Sequence, residues 1–177
     1  MMNRVNILSL TALTALGLAA LPGSAFAQEK QHVSFKTAAE NSKPTQQLNI
    51  DAGDVPNHIV RVFEVHRTYP NNPPVIDGLR LVEVWNRGYL DLTGGYGGGT
   101  SYNVYVMANG DKFFTRNISV TQTTSNLNSN TQVGFITGGT GKLAGMQGIV
   151  RLSSIFDTTG KTGFNESQTD IDYWMKK

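Results

Sequence analysis

The sequence predicts an all-β domain, a single antiparallel sheet closed into an eight-stranded barrel, placed after an N-terminal export signal. Three observations carry this. From Asn57 onward, runs rich in β-branched and aromatic residues alternate apolar with polar positions. Between them lies turn chemistry at regular intervals: Pro70-Asn71-Asn72-Pro73-Pro74, Asp77-Gly78, Asn109-Gly110-Asp111 and Thr159-Gly160-Lys161. Helical periodicity is nearly absent, so nothing would cover a parallel sheet. Closure removes exposed edges, and an eight-strand barrel can hold one small ligand.

Taken in order, residues 1–27 carry one early positive charge, Arg4, then an apolar run from Ile7 to Leu21, then Pro22-Gly23 and the small-x-small triplet Ala25-Phe26-Ala27. That is the pattern of a secretory signal peptide cleaved after Ala27. About fifteen apolar residues fall short of the ~20 that span a bilayer. The product would be secreted or periplasmic, with no membrane span left. Residues 28–49 form a polar N-terminal arm with one possible strand, His32 to Lys36, and helical composition only at Thr37 to Asn41.

The barrel domain is expected over residues 50–177. Its strands are His58 to Arg67, Leu79 to Asn86, Ser101 to Met107, Lys112 to Gln122, Gln132 to Thr137, Gly148 to Phe156 and Gln168 to Trp174. With the N-terminal strand they make eight. Asn109-Gly110 between two strands is a strong hairpin signal. The Tyr69 to Asp77 connection and the run Gly94-Gly95-Tyr96-Gly97-Gly98-Gly99 read either as mouth loops over a cavity or as plain surface loops.

Gly138 to Gly148 places five glycines in eleven residues between two strands, which suits a tight strand corner. Gly141-Lys142 superficially suggests a phosphate-binding loop. The required glycine five residues earlier is Ile136, and the required Ser or Thr after the lysine is Leu143. A dinucleotide fingerprint fails too, since Gly145 comes one residue late and a strand follows.

Composition narrows the chemistry further. The chain has no Cys, which excludes disulfides and thiolate sites. Its formal charge is +2, or +1 without Arg4, and no basic cluster appears, so nucleic acid is set aside as a partner. Only His32, His58 and His66 exist, in no metal-ligand spacing, and no Gly-x-Ser-x-Gly elbow is present. No metal and no cofactor is expected.

Gly53-Asp54-Val55-Pro56-Asn57-His58, Asn109-Gly110-Asp111-Lys112-Phe113-Phe114, and Gly138 to Leu143 with Gly145 and Gly148 carry a resemblance over Ile50 to Trp174. In that order they resemble secreted bacterial proteins similar to the allene oxide cyclase barrel and, more distantly, to dirigent proteins. The resemblance implies an eight-stranded barrel with a cavity for a lipophilic molecule, in which characterised relatives steer a reactive intermediate without a bound cofactor. No catalytic residue of those enzymes maps onto a position here. His58 falls on the motif's histidine, with an expected role at a backbone group of the rim.

Strand parity supplies the site candidates. Leu79, Leu81, Glu83 and Trp85 would share one face, and Phe114, Arg116, Ile118 and Val120 another. A charge on an inward face needs a partner, so Glu83 and Arg116 are candidates for a polar pair in the cavity, against the alternative that these faces point outward. Glu64 and His66 are adjacent same-face positions, an acid/base pair or a solvated one. Trp85 and Tyr105, with Tyr102, Tyr173 and Trp174, either line an apolar pocket or fill a core. Two function classes follow: binding of a small lipophilic molecule, or a cofactor-free cyclase or isomerase, with a structural scaffold as the bland alternative. Aromatic residues on both faces of Ser101 to Met107 suggest a homo-oligomer.

Overall fold

The computed structural model describes residues 29–124, 127–157 and 164–176. The predicted signal peptide lies outside the described residues. The strands are β1 (Gln31–Thr37), β2 (Ser42–Asp51), β3 (His58–Thr68), β4 (Val75–Ile76), β5 (Leu79–Thr93), β6 (Tyr96–Met107), β7 (Lys112–Thr124), β8 (Leu127–Gly139), β9 (Met146–Asp157) and β10 (Phe164–Met175). All pair antiparallel in the order β1-β10-β9-β8-β7-β6-β5-β3-β2, with the two-residue β4 beside β5.

This is ten strands where eight were expected, and the ladder is open: among the described residues β1 and β2 do not pair. The difference has a simple geometry. β1 and β2 run in the same sense, separated by a 3-10 turn at Ala39–Asn41. The first half of this segment pairs with β10, from Gln31↔Tyr173 to Thr37↔Ser167, and the second with β3, from Ser42↔Arg67 to Asp51↔Ile59. One broken stave thus joins both edges of the sheet through continuous chain. Side chains bridge the same seam: Phe35 meets Tyr69 edge to face at 5.5 Å, and the Thr37 hydroxyl lies 2.9 Å from the Tyr69 hydroxyl. The polar arm of residues 28–49 contributes both strands, hidden in the sequence by Pro44 and by the lack of alternation around it.

The described connections follow their turn chemistry, while the predicted turn at Thr159-Gly160-Lys161 lies outside the described residues. At Asn109-Gly110, Gly110 adopts φ +88° and the Asn109 side chain accepts the Asp111 N–H at 3.0 Å. The glycine-rich corner forms a 3-10 turn at Gly141–Leu143 between β8 and β9. Thr140 Oγ1 accepts the Lys112 N–H, and Asp111 accepts the Lys142 N–H, each at 2.9 Å, while Leu143 points inward with no exposure. The run Gly97–Gly99 is neither kind of loop but the start of β6, wedged between β5 and β7. A Cβ on Gly99 would overlap the Tyr89 carbonyl oxygen, so only glycine permits this close pairing.

With no second layer, the sheet buries its core on its own concave face. The lower end, where the Gly141–Leu143 turn lies, is apolar: Ile76, Leu81, Val84, Tyr105, Met107, Phe113, Leu143, Met146, Val150 and Ile171 are buried together. Tyr105 and Phe113 stack there, centroids 4.1 Å apart. The convex face inverts the usual polarity. Leu48, Val62, Tyr89, Ile118 and Val133 lie in one cross-strand row and are all exposed.

Candidate functional site

The upper part of the concave face is built by β6, β7 and β8, whose inward positions are small and polar. Ser101 and Asn103, then Thr115, Asn117, Ser119 and Thr121, then Asn130 and Gln132 alternate with outward residues, so the sheet period buries them all on one side. Their partners come across the strands. The Asn117 amide donates to Ser101 Oγ at 3.3 Å, Ser101 donates to Gln132 Oε1 at 3.3 Å, Gln132 donates to Asn130 Oδ1 at 2.9 Å, and Asn130 donates to Thr121 Oγ1 at 2.8 Å. A second relay lies nearer the apolar end, where Asn86 donates to Asn103 and Asn103 donates to Tyr105 Oη. Such networks hold each amide in one orientation.

Four buried hydroxyls stand outside these relays, the Thr115 Oγ1 among them. Ser42, Ser154 and Ser167 have no hydrogen-bond partner for Oγ among the described residues. Ser154 and Ser167 face each other across β9 and β10, and Ser154 also pairs with Asn130 across β8. A buried polar atom without a protein partner is uncommon in a folded protein. Ser42 sits beside Arg67, which is 3% exposed at the boundary between the apolar and polar parts. Burial pulls the guanidinium pKa below its ordinary value, opposed by Tyr69 and Tyr105. Burial raises the Tyr69 and Tyr105 pKa values, so both stay neutral donors. The sequence reading missed this whole lining. Its signal was a period-2 run of Ser, Thr, Asn and Gln in β6–β8, to which the sequence analysis assigned no face.

The predicted site residues fall differently. Tyr105 points inward. Glu83 and Trp85 do not share a face with Leu81, because a bulge between Leu81 and Glu83 shifts the β5 register against β6 and turns both outward. Glu83 bonds His66 Nε2 at 2.8 Å, His66 stacks on Trp85 at 3.9 Å, and Arg87 lies over the same ring. Glu64 accepts from Thr45 at 2.6 Å, its strongest stabiliser as an anion, and from Arg87 at 2.6 Å, which lowers its pKa. Four candidates, Glu64, His66, Glu83 and Trp85, therefore meet in one cluster on the convex face of β3 and β5. Arg116 is exposed on β7 between Tyr102 and Phe135, and the expected Glu83–Arg116 pair does not form.

His58 holds carboxylates rather than a backbone group: Nδ1 lies 2.5 Å from Asp54 and Nε2 2.8 Å from Asp91. The bond to Asp54 first, then that to Asp91, raises its pKa above the ordinary histidine value. Asp172, facing outward with Asp170, bonds Arg151 and His32 at 2.9 Å each, which pulls its pKa down to about 2. At the lower rim an open groove of about 570 Å³ runs between Val33, Val75, Lys142, Tyr173 and Met175.

No protein-family model matches the chain, and no curated protein matches it. The solved structures that resemble it include two dirigent proteins. The pterocarpan synthase dirigent protein PsPTS1 superposes with a TM-score of 0.48 at 15% identity, over 85% of this chain and 97% of its own. The pterocarpan synthase dirigent protein GePTS1 does so with the same score and identity, over 94% of this chain and 100% of its own.

Proposed function

We propose that the curled sheet serves as a barrel whose interior binds one small, largely apolar molecule carrying hydroxyl or carbonyl oxygens, without a cofactor. The observation that carries this reading is the unpartnered Ser42, Ser154 and Ser167 hydroxyls beside a fixed amide relay, above an apolar floor. An apolar body would rest on the Tyr105–Phe113 stack while its oxygens take up the free hydroxyls and amides, the usual division of labour in a small-molecule pocket. Among the described residues the buried polar side chains are Ser, Thr, Asn, Gln and Arg67. None of these exchanges a proton near neutral pH, which favours binding over acid–base turnover. Arg67 favours a second reading, a cofactor-free isomerase, because a buried cation stabilises negative charge that develops in a bound substrate.

Native mass spectrometry of the protein recovered from its own source tests the proposal. A one-to-one apolar adduct is expected, lost in Asn117→Leu, which fills space and removes a donor, and kept in Arg116→Ala on the convex face. A ligand-free mass, together with no saturable binding of 1-naphthol as a probe, would reject a ligand-binding interior. Conversion of the extracted molecule by the native chain, abolished in Arg67→Met, would favour the isomerase.

A further inference from the structure

The two ends of the ladder are finished differently. At one end β1 is tucked in: Val33 and Phe35 pack on the core and Thr37 is buried. At the other end β2 is bare. Every residue from Lys43 to Asp51 is exposed, and among the described residues β2 pairs only with β3. An exposed row of backbone donors and acceptors is a template for another strand, and proteins commonly blunt such rows with proline, lysine or a bulge. All three guards are present, but only at the start of the strand: Lys43, Pro44, and an extra residue at Thr45 where the register with β3 shifts. From Gln46 to Asp51 there is no guard. Leu48 and Ile50 instead expose 60% and 52% of their surface on the convex side.

We propose that this edge is the docking site for a second copy of the chain, with β2 pairing antiparallel to β2 of the other molecule about a two-fold axis at Asn49. The strand complements itself in this register. Leu48 falls opposite Ile50 of the second copy, twice, and Gln47 falls opposite Asp51, also twice. Like side chains of one charge never meet. Asp51 spends one oxygen on the Gly53 N–H at 2.9 Å, leaving the other for the facing glutamine amide. Centring one residue earlier would set Ile50 against Gln46, and centring at Gln47 would force bulged Thr45 and Pro44 into the new ladder. Pairing at Asn49 also sets the apolar row Leu48–Val62–Tyr89 against Ile50 and Val60 of the second molecule. The joint is isologous and closes at two copies.

The absence of cysteine makes a direct test available. Only Asn49 would face its own copy, at the Cα separation of about 4.5–5.5 Å that antiparallel pairing gives and a disulfide accepts. Asn49→Cys is expected to form a disulfide-linked dimer under mild oxidation, at least an order of magnitude more completely than Gln47→Cys or Leu48→Cys. Light scattering is expected to give a dimer for the unmodified chain. Leu48→Lys with Ile50→Lys, which opposes like charges, gives a monomer with an unchanged far-ultraviolet spectrum, and Leu48→Lys with Ile50→Glu restores the dimer. A monomeric native chain, cross-linking no greater at Asn49 than at its neighbours, or an assembly that survives Leu48→Lys/Ile50→Lys but is lost in Ile118→Asp overturns the proposal.

Discussion

Phe113 and Asn117 face the same way from β7, four residues apart and both almost fully buried, yet they sit in different surroundings. Phe113 stacks on Tyr105 among Met107, Leu143 and Met146, with nothing polar to satisfy. Asn117 enters a relay of amides and hydroxyls that runs through Ser101, Gln132 and Asn130 to Thr121. The lower end of the interior thus concentrates the apolar burial that drives folding, while the upper end keeps oriented polar groups at little net gain. One continuous sheet holds both, because alternate residues of long strands can change character part-way without altering backbone pairing.

Substitution at the two positions is the strongest test of this division. Phe113→Ala should cost about 3–5 kcal/mol, through the lost ring and the cavity left behind, and lower the thermal midpoint accordingly. Asn117→Val should cost no more than about 1 kcal/mol. Equal losses in thermal unfolding would show that the amide relay is as much a folding core as the aromatic floor. A smaller effect sharpens the picture of the upper end, whose rigidity comes from close backbone approach. Gly99→Ala, pressing a methyl on the Tyr89 carbonyl, should destabilise by about 1–3 kcal/mol in denaturant titration, although it removes no contact.

The smallest expected effect is at the upper rim, where His58 ties the Asp54 loop to Asp91 on β5. Both ring nitrogens face carboxylates, so the bonds need the protonated ring. The folded pKa is raised above the ordinary 6.5, so the contribution is complete below that value and is lost as pH rises through the raised one. Hydrogen exchange in residues 52–57 should therefore accelerate above that window beyond the chemical rate, while the Phe113 region stays unchanged. His58→Gln should remove the pH dependence, and an unaltered profile in that variant would disconnect the rim from this histidine.

Much of the architecture was legible in the sequence, because turn residues and alternating strands are local signals. Asn109-Gly110 and the Gly138 to Gly148 corner lie at strand connections, as their chemistry demands. Which face points inward is not local. One bulge after Leu81 moved Glu83 and Trp85 to the other side, and no residue there announces it. The cavity alternative for the Phe114–Arg116–Ile118–Val120 face failed in β7, where Ile118 and Val120 are exposed and Asn117 and Ser119 buried, and β8 shows the same inversion, with Val133 exposed and Gln132 buried. Arg67 was unreadable for a related reason: a charge near a strand end looks solvated until the pairing of Ser42 beside it is known. β2 was passed over because Pro44 and a run of amides carry no strand signature, although β3 supplies a full ladder for it.

The broken stave also orders events in time. Its first half pairs with β10, so His32 meets Asp172 across 140 positions of sequence. A ribosome delivers residues 31–37 well before their partner strand. Until β10 is made the segment has only β3 to recruit, which engages β2 and leaves β1 waiting. The seam between Phe35 and Tyr69 is therefore fastened only once β10 is free. A nascent chain lacking β10 would be a sheet with an uncovered floor, a natural client for a chaperone until that strand arrives.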